Sequence, residues 1–415
     1  MTGSHHNAHW RQNLYVCLFG SFTTIIAMTL ILPFLPLYVE QLGVRSPSAI
    51  VQWSGVAFGV TFLAASLVSP IWGRLADRYG RKLMLVRASL GMAIVMSLIG
   101  LAHNIYELIG LRLAIGLAGG YASGSVILVA MQTPKERSTW ALGTLSIGVM
   151  AGSFVGPLLG GILPGLIGLR ETFFAAGAAI FVAFLATCFL IREERVARPP
   201  AGSPAAPRIG TWAAIPDRRP VFAMLATALM LMFANMSIEP IITVYVAQLV
   251  ADPGRIALMS GLVMAASALA SILAAPRVGR LADRIGAWPV VIGCLVASGL
   301  LLIPQAFVTD AWQLVALRFL MGLALAGLLP SVTALIRHSV PDGVTGGVLG
   351  YSQSAQYMGQ ITGPLVGGFA GAQFGMRSVF FATSALMLCG AALNWMVFRN
   401  LARPAPDTAG LGKGA

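Results

Sequence analysis

Gly73-Arg-Leu-Ala-Asp-Arg-Tyr-Gly80 recurs 206 residues later as Gly279-Arg-Leu-Ala-Asp-Arg-Ile-Gly286. The two octapeptides differ only at Tyr79 and Ile285. An offset of 206 or 207 also carries Pro33, Tyr38, Val39, Gln41 and Leu42 onto Pro240, Tyr245, Val246, Gln248 and Leu249. The same shift takes Arg112 and Gly116 to Arg318 and Gly322, and Gly156-Pro157 with Gly160-Gly161 to Gly363-Pro364 with Gly367-Gly368. A register that holds at four separated places marks an internal repeat, so the chain is two copies of one half.

Each copy is built of long apolar blocks, among them 15–38, 83–101, 173–191 and 221–247. Crossing the hydrocarbon of a bilayer takes about 20 apolar residues, which is the length of these blocks. Of the 415 residues, 57% are hydrophobic and 10% charged, against about 45–50% and about 25% in soluble domains. A soluble enzyme, a secreted disulfide scaffold and a disordered chain are excluded by that balance. Polar breaks divide the chain into twelve spans, at 14–38, 50–72, 83–102, 106–130, 140–163, 173–191, 221–248, 257–276, 288–306, 311–336, 344–370 and 378–399. The predicted fold class is therefore all-α integral membrane, with twelve transmembrane helices in two pseudo-symmetric six-helix bundles.

Charge supports the count and gives an orientation. With the N-terminus in the cytoplasm, 21 of the 27 Lys and Arg fall on the cytoplasmic side. Only Arg45, Arg170, Arg255 and Arg377 fall outside, while Arg112 and Arg318 lie within spans. A miscounted helix would scramble that asymmetry. Basic loops against anionic lipid account for the net charge of +13 without a nucleic acid partner. The predicted organisation is a cytoplasmic tail at 1–13, a first bundle at 14–191, a linker at 192–220, a second bundle at 221–399 and a cytoplasmic tail at 400–415. Six prolines fall in the linker, a composition of connecting chain rather than of a domain. Cys17, Cys188, Cys294 and Cys389 each sit in an apolar block without metal-ligand spacing. No metal and no cofactor is expected, and no Gly-x-x-x-x-Gly-Lys-Ser/Thr loop for ATP is present in the sequence.

Parallel six-span halves around a midplane site describe transporters that rock one half against the other. The residues here resemble the major facilitator superfamily, and within it the twelve-helix drug:proton antiporters. The likeness is carried by Leu32-Pro-Phe-Leu-Pro-Leu-Tyr-Val-Glu-Gln-Leu-Gly43, by the Gly-Arg-Leu-Ala-Asp run and by Trp140-Ala-Leu-Gly-Thr-Leu-Ser146. The resemblance implies a multidrug exporter of the plasma (inner) membrane, not an enzyme, that works by antiport on the proton motive force. Its expected partners are a small-molecule substrate, protons and membrane lipid, and the expected state is a monomer. An exporter of one specific solute, possibly an anion, is the alternative, because two intramembrane arginines face one deep acid.

Four groups of residues follow. The loop after span 2 is read as a turn with glycines at each end, where Asp77 can make charge-assisted bonds among basic neighbours. In the resembling family this loop latches the halves on the cytoplasmic side, which implicates Gly73, Asp77, Arg78, Gly80, Arg81 and Lys82, with Asp283 in the second copy. Ala287 and Trp288 stand where the first copy has Arg81 and Lys82, so the second latch should be weaker. Span 5 carries Gly152, Gly156, Pro157, Gly160 and Gly161. Glycines four apart permit close helix packing and Pro157 favours a bend. In the family this pattern accompanies export.

Ionisable groups inside a membrane are functional candidates. Glu239 on span 7, Arg112 on span 4 and Arg318 on span 10 share one depth, and Glu107 lies nearer the outer surface. Desolvation favours a neutral carboxyl and a nearby guanidinium favours its ionised form, so Glu239 is the expected proton carrier, modulated by Arg112 or Arg318, with Glu107 second. Candidate substrate contacts are Gln353, Gln356, Tyr357 and Gln360 on one face of span 11. Met232, Asn235 and Met236 flank Glu239, and Phe34 with Tyr38 lie on span 1. Methionine and aromatic side chains adapt to varied apolar ligands.

Overall fold

A computed structural model describes residues 9–134, 137–193, 215 and 217–402. The linker segments at 194–214 and at 216, the first eight residues and the tail from 403 lie outside the described residues.

Fifteen helices build the twelve spans. Span 1 is α1 (Trp10–Leu30) followed by α2 (Leu35–Gln41), span 2 is α3 (Pro47–Tyr79) and span 3 is α4 (Arg81–Ile99). Span 4 divides into α5 (Ile105–Ala118) and α6 (Tyr121–Gln132); spans 5 and 6 are α7 (Ser138–Ile167) and α8 (Leu169–Leu190). The second half repeats the order with α9 (Arg219–Leu249), α10 (Ile256–Ile285) and α11 (Ala287–Gln305). Span 10 divides into α12 (Ala311–Leu325) and α13 (Leu328–Ser339), and α14 (Asp342–Phe374) and α15 (Met376–Ala402) close the chain. The ends of α1, α8, α9 and α15 that carry the termini and the linker define what is called here the terminal face.

Among the described residues, eleven of the twelve spans are long and apolar enough to cross a membrane. The twelfth, α14, has the length, 33 residues, but carries Ser352, Gln353, Ser354, Gln356, Tyr357 and Gln360 along its middle. A helix with that many polar groups is tolerated inside a bilayer where it faces protein or water rather than lipid. It packs between α9 of its own half and α3 of the other.

The halves repeat in their hydrogen bonds as well as their sequence. Tyr38 Oη donates to the Ile99 carbonyl at 2.6 Å, and Tyr245 Oη donates to the Gln305 carbonyl at 2.9 Å. Asn104 accepts from the Glu107 amide while Glu107 accepts from the His103 amide, a reciprocal cap on α5. At α12 Asp310 accepts from the Trp312 amide and Gln313 from the Thr309 amide.

The glycine motif after span 2 differs from the expectation of a turn with a glycine at each end. Gly73 lies inside α3 and Gly279 inside α10. The chain turns only at Gly80 and Gly286, with φ of 102° and 89°. No proline follows Pro70 or Pro276 in these two helices, so each extends past its apolar stretch as an amphipathic end. Span 5 is a single helix, α7, with Pro157 and Pro164 inside it.

The two halves touch near the face opposite the termini. Thr243 Oγ1 donates to the Pro33 carbonyl at 3.0 Å, joining α9 to the break between α1 and α2. Gly55 of α3 lies against the Pro364 carbonyl and Gly368 of α14. The repeat reproduces this contact, with Gly261 of α10 against the Pro157 carbonyl and Gly161 of α7. Among the described residues, the hydrogen bond and the close glycine approaches between the halves all lie toward this face, so the halves are closed on each other there.

Candidate functional site

The small residues of α14 and α7 decide what can approach the space between the halves. Gly359, Gly363 and Gly367 back onto α9 at Leu229, Phe233 and Ser237, with added Cβ atoms meeting backbone at each. Gly148, Gly152, Gly156 and Gly160 do the same against α1. Thr29 Oγ1 donates to the Gly152 carbonyl at 3.3 Å across that crossing. The motif therefore does two jobs at once. Its i, i+4 glycines hold α7 on α1, while Pro157 and Gly161 on another face of α7 meet α10 of the other half.

The tight α9–α14 crossing brings the expected substrate contacts of those helices together. An added Cβ on Gly359 would be 2.9 Å from Met232 Cβ, and one on Gly363 3.0 Å from Met236 Cβ. Gln360 Nε2 lies 3.6 Å from Met232 Sδ. Gln356, Tyr357 and Gln360 are half-buried and Gln353 is exposed on the same helix. Asn235, Met236 and Glu239 follow Met232 at helical spacing and are half-buried. Polarizable thioethers, amides and one carboxyl thus share one corner of the second bundle.

Glu239 Oε2 is shut off from solvent without a hydrogen-bond partner. Arg318 of α12 is its electrostatic neighbour, yet the two are not in ion-pair contact, and Arg318 Nε and Nη2 also lack partners. The acid and the guanidinium thus feel each other without bonding. Unpaired buried groups of this kind are costly and mark functional sites.

Arg112 is placed differently. Its guanidinium stays in the first bundle, where Nε donates to the Ala57 carbonyl at 3.3 Å and the group lies 5.2 Å from the Phe58 ring centroid. The repeat supplies an arginine to both halves but puts Leu32 where the second half has Glu239. Charge symmetry is broken at that position, and the structure brings Arg318, not Arg112, to the acid.

Three expected residues stand outside this corner. Phe34 and Tyr38 are fully buried in the first bundle, where both rings pack on Phe173 at 5.4 and 4.9 Å. Their burial and the Tyr38–Ile99 bond make them packing residues in this conformation. Glu107 is exposed and closes the α5 cap, a role its repeat partner Gln313 fills without a charge. The reciprocal Asn-x-x-Glu spacing was legible as a cap.

The loop between α3 and α4 shows a partner that sequence reasoning missed. Glu193, just beyond α8, accepts from the Arg81 and Lys82 amides through its two carboxylate oxygens, each at 2.8 Å. The carboxylate satisfies two amides of the α4 N-terminus. Arg78 is exposed and lies over Tyr79 at 5.3 Å, and Asp283 is exposed. The Asp77 side chain lies outside the description. Nearby, the Arg87 guanidinium lies 3.6 Å from the Trp72 ring centroid and donates to the Leu117 and Gly119 carbonyls, where α5 ends.

Two pseudo-equivalent halves of apolar helices match a known family along almost the whole chain. The profile of the Major Facilitator Superfamily fits residues 17–258 and again 254–414. The chain belongs to the Major Facilitator Superfamily. It is 41% identical over 394 residues to the multidrug resistance protein MdtG of Proteus mirabilis, covering 95% of this chain and 98% of that one. The MdtG proteins of Dickeya zeae and Salmonella typhimurium are each 43% identical, over 94% of this chain and 95% and 96% of theirs. Among solved structures, a bacterial homolog of the human lysosomal transporter Spinster, inward-facing and occupied, superposes with a TM-score of 0.75. It shares 16% identity over 96% of this chain and 100% of that one. The nucleoside transporter NupG gives 0.72 at 16% identity, over 94% and 99%. At such identities the structures share the fold alone. The chain is a multi-pass membrane protein of a transporter superfamily.

Proposed function

We propose that this protein exports amphipathic drugs across the inner (plasma) membrane in exchange for protons, by alternating access between its two bundles. The multidrug resistance proteins to which it is 41–43% similar by identity support the substrate class. The observation that carries the coupling is Glu239, whose Oε2 is out of solvent and unbonded, beside an unpaired Arg318 and one helical turn from Met236. With Glu239 ionised the pair is neutral overall; with it protonated the corner carries the arginine's charge. A cationic drug is admitted best by the ionised form and expelled by protonation, which makes the exchange obligatory. One proton crossing 100 mV contributes about 2.3 kcal/mol per cycle.

The excess of Lys and Arg at that face supports a cytoplasmic side for the termini and the linker. The present conformation, closed at the opposite face, is then the inward-facing one. The latch residues Gly73, Asp77, Arg78, Gly80, Arg81, Lys82 and Asp283 engage when the terminal face closes. The bundles are taken as 14–191 and 221–399, joined by 192–220, and the working unit as a monomer.

The test uses proteoliposomes with an imposed pH gradient and a pH-sensitive dye inside. A lipophilic cation should collapse the gradient in wild type, and Glu239→Gln, a neutral mimic of the protonated form, should bind the cation more weakly and reduce proton flux to the leak of empty vesicles. Equal responses in both proteins would remove Glu239 as the carrier. The specific-solute alternative rests on the unpaired nitrogens of Arg318; a gradient collapsed by an organic anion alone would establish it.

A further inference from the structure

The terminal-face ends of α1 and α7 meet through two tryptophans. Trp10 and Trp140 pack edge to face with centroids 6.4 Å apart, and the Arg11 guanidinium lies 5.4 Å from the Trp10 centroid. With Tyr15 and Arg137 these side chains line an open pocket of about 370 Å³. The aromatic rim is left open, since Tyr15 is 57% and Trp140 54% exposed.

The two arginines set this pocket apart. Among the described residues, the Arg11 and Arg137 side chains form neither a hydrogen bond nor an ion pair. No acid stands in the first turn of α1 or α7. Other guanidiniums at this face are engaged, Arg87 by two carbonyls and Trp72, and Arg277 by the Leu273 carbonyl at 2.8 Å, while Arg11 and Arg137 combine free guanidiniums with an aromatic rim. An apolar track leads from the pocket along both helices. Tyr15 and Phe19 are exposed at i, i+4 on α1, and Trp140 and Ile147 at i, i+7 on α7. The open space at Gly143 leaves that face of α7 uncovered at this level.

We infer that this pocket binds an anionic glycerophospholipid of the terminal-face leaflet, with its phosphate between Arg11 and Arg137 and an acyl chain on the Tyr15–Phe19 and Trp140–Ile147 track. Guanidinium groups match phosphate oxygens in charge and geometry. Tryptophan belongs at headgroup depth, with its ring in the apolar region and its N–H toward water. A soluble anion would use the arginines and leave the apolar track empty; a lipid uses both.

The full chain, purified in mild detergent, is titrated with phosphatidylglycerol and with phosphatidylcholine, and bound lipid is counted by native mass spectrometry. Wild type should retain one phosphatidylglycerol in preference to phosphatidylcholine. The pair Arg11→Gln and Arg137→Gln should weaken phosphatidylglycerol roughly 30-fold, from the usual contribution of two basic groups at a lipid surface. Arg337→Gln, a basic site elsewhere on this face, should change nothing. Undiminished phosphatidylglycerol in the double variant overturns the assignment, and so does its displacement from wild type by millimolar glycerol phosphate. If the double variant fails to fold, wild type at rising ionic strength decides. Loss of phosphatidylglycerol but not phosphatidylcholine supports the site, and equal retention of both refutes it.

Discussion

The contact between the halves is made of glycine and backbone, and replacing Gly55 or Gly261 with alanine should pry open the face opposite the termini. A Cβ on Gly55 would overlap the Pro364 carbonyl oxygen and stand 3.2 Å from its carbon and 3.3 Å from Gly368 Cα. A Cβ on Gly261 would overlap the Pro157 carbonyl oxygen and stand 3.1 Å from Gly161 Cα and 3.2 Å from its nitrogen. All of these are backbone atoms, so no rotamer change relieves them and the helices themselves must part. Overpacking of this kind costs about 1–3 kcal/mol, and it is felt only in the conformation where the halves touch. The two crossings lie on different helix pairs, so their effects should add to about 2–6 kcal/mol. Inverting a population from 99:1 to 1:99 takes about 5.5 kcal/mol. Each single variant should therefore populate the alternative state visibly, and the double variant should approach inversion. The assay is the distance between spin labels at Arg45→Cys and Arg255→Cys, in a background lacking the native cysteines, in lipid nanodiscs. Both labels precede helices at the opposite face, one in each half, so opening lengthens the distance. Gly293→Ala, where a Cβ meets nothing within 4 Å, should leave the distribution as in wild type. A folded double variant with the short distance unchanged would refute the argument that these crossings hold the gate.

Two further predictions concern residues whose roles the structure reassigns. Tyr38→Phe removes the bond to the Ile99 carbonyl and should cost about 1 kcal/mol of stability with drug transport unchanged; a changed drug profile at unchanged stability would restore Tyr38 to the substrate site. Glu193→Gln weakens a charge-assisted cap on the Arg81 and Lys82 amides, worth roughly 1–2 kcal/mol. The melting midpoint in detergent should fall by about 1–3 °C, and an unchanged midpoint would show the cap to be idle.

How legible the site was depended on how local its causes were. Glu107 and Gln313 could be recognised as caps from a spacing of three residues. Glu193 could not be assigned, because its partners Arg81 and Lys82 lie more than one hundred positions away and its bond is to their backbone, which has no sequence signature. Met232, Met236 and Gln360 were placed on helix faces by periodicity, and their meeting needed the α9–α14 crossing at Gly359 and Gly363.

The sequence by itself determined the membrane class, twelve spans and the twofold repeat, because span length and hydrophobicity are local properties and a repeat is visible in one dimension. It also located every ionisable group within a span. Only the tertiary structure decided which arginine belongs to Glu239, since Arg112 and Arg318 are equivalent by motif and depth and differ only in what packs beside them. It likewise decided that Phe34 and Tyr38 turn into the bundle and that the molecule is closed at one face. Lipid-spanning helices are apolar all round, so periodicity marks no inner face on them. Close approaches of glycine to backbone from distant parts of the chain set each helix's rotation.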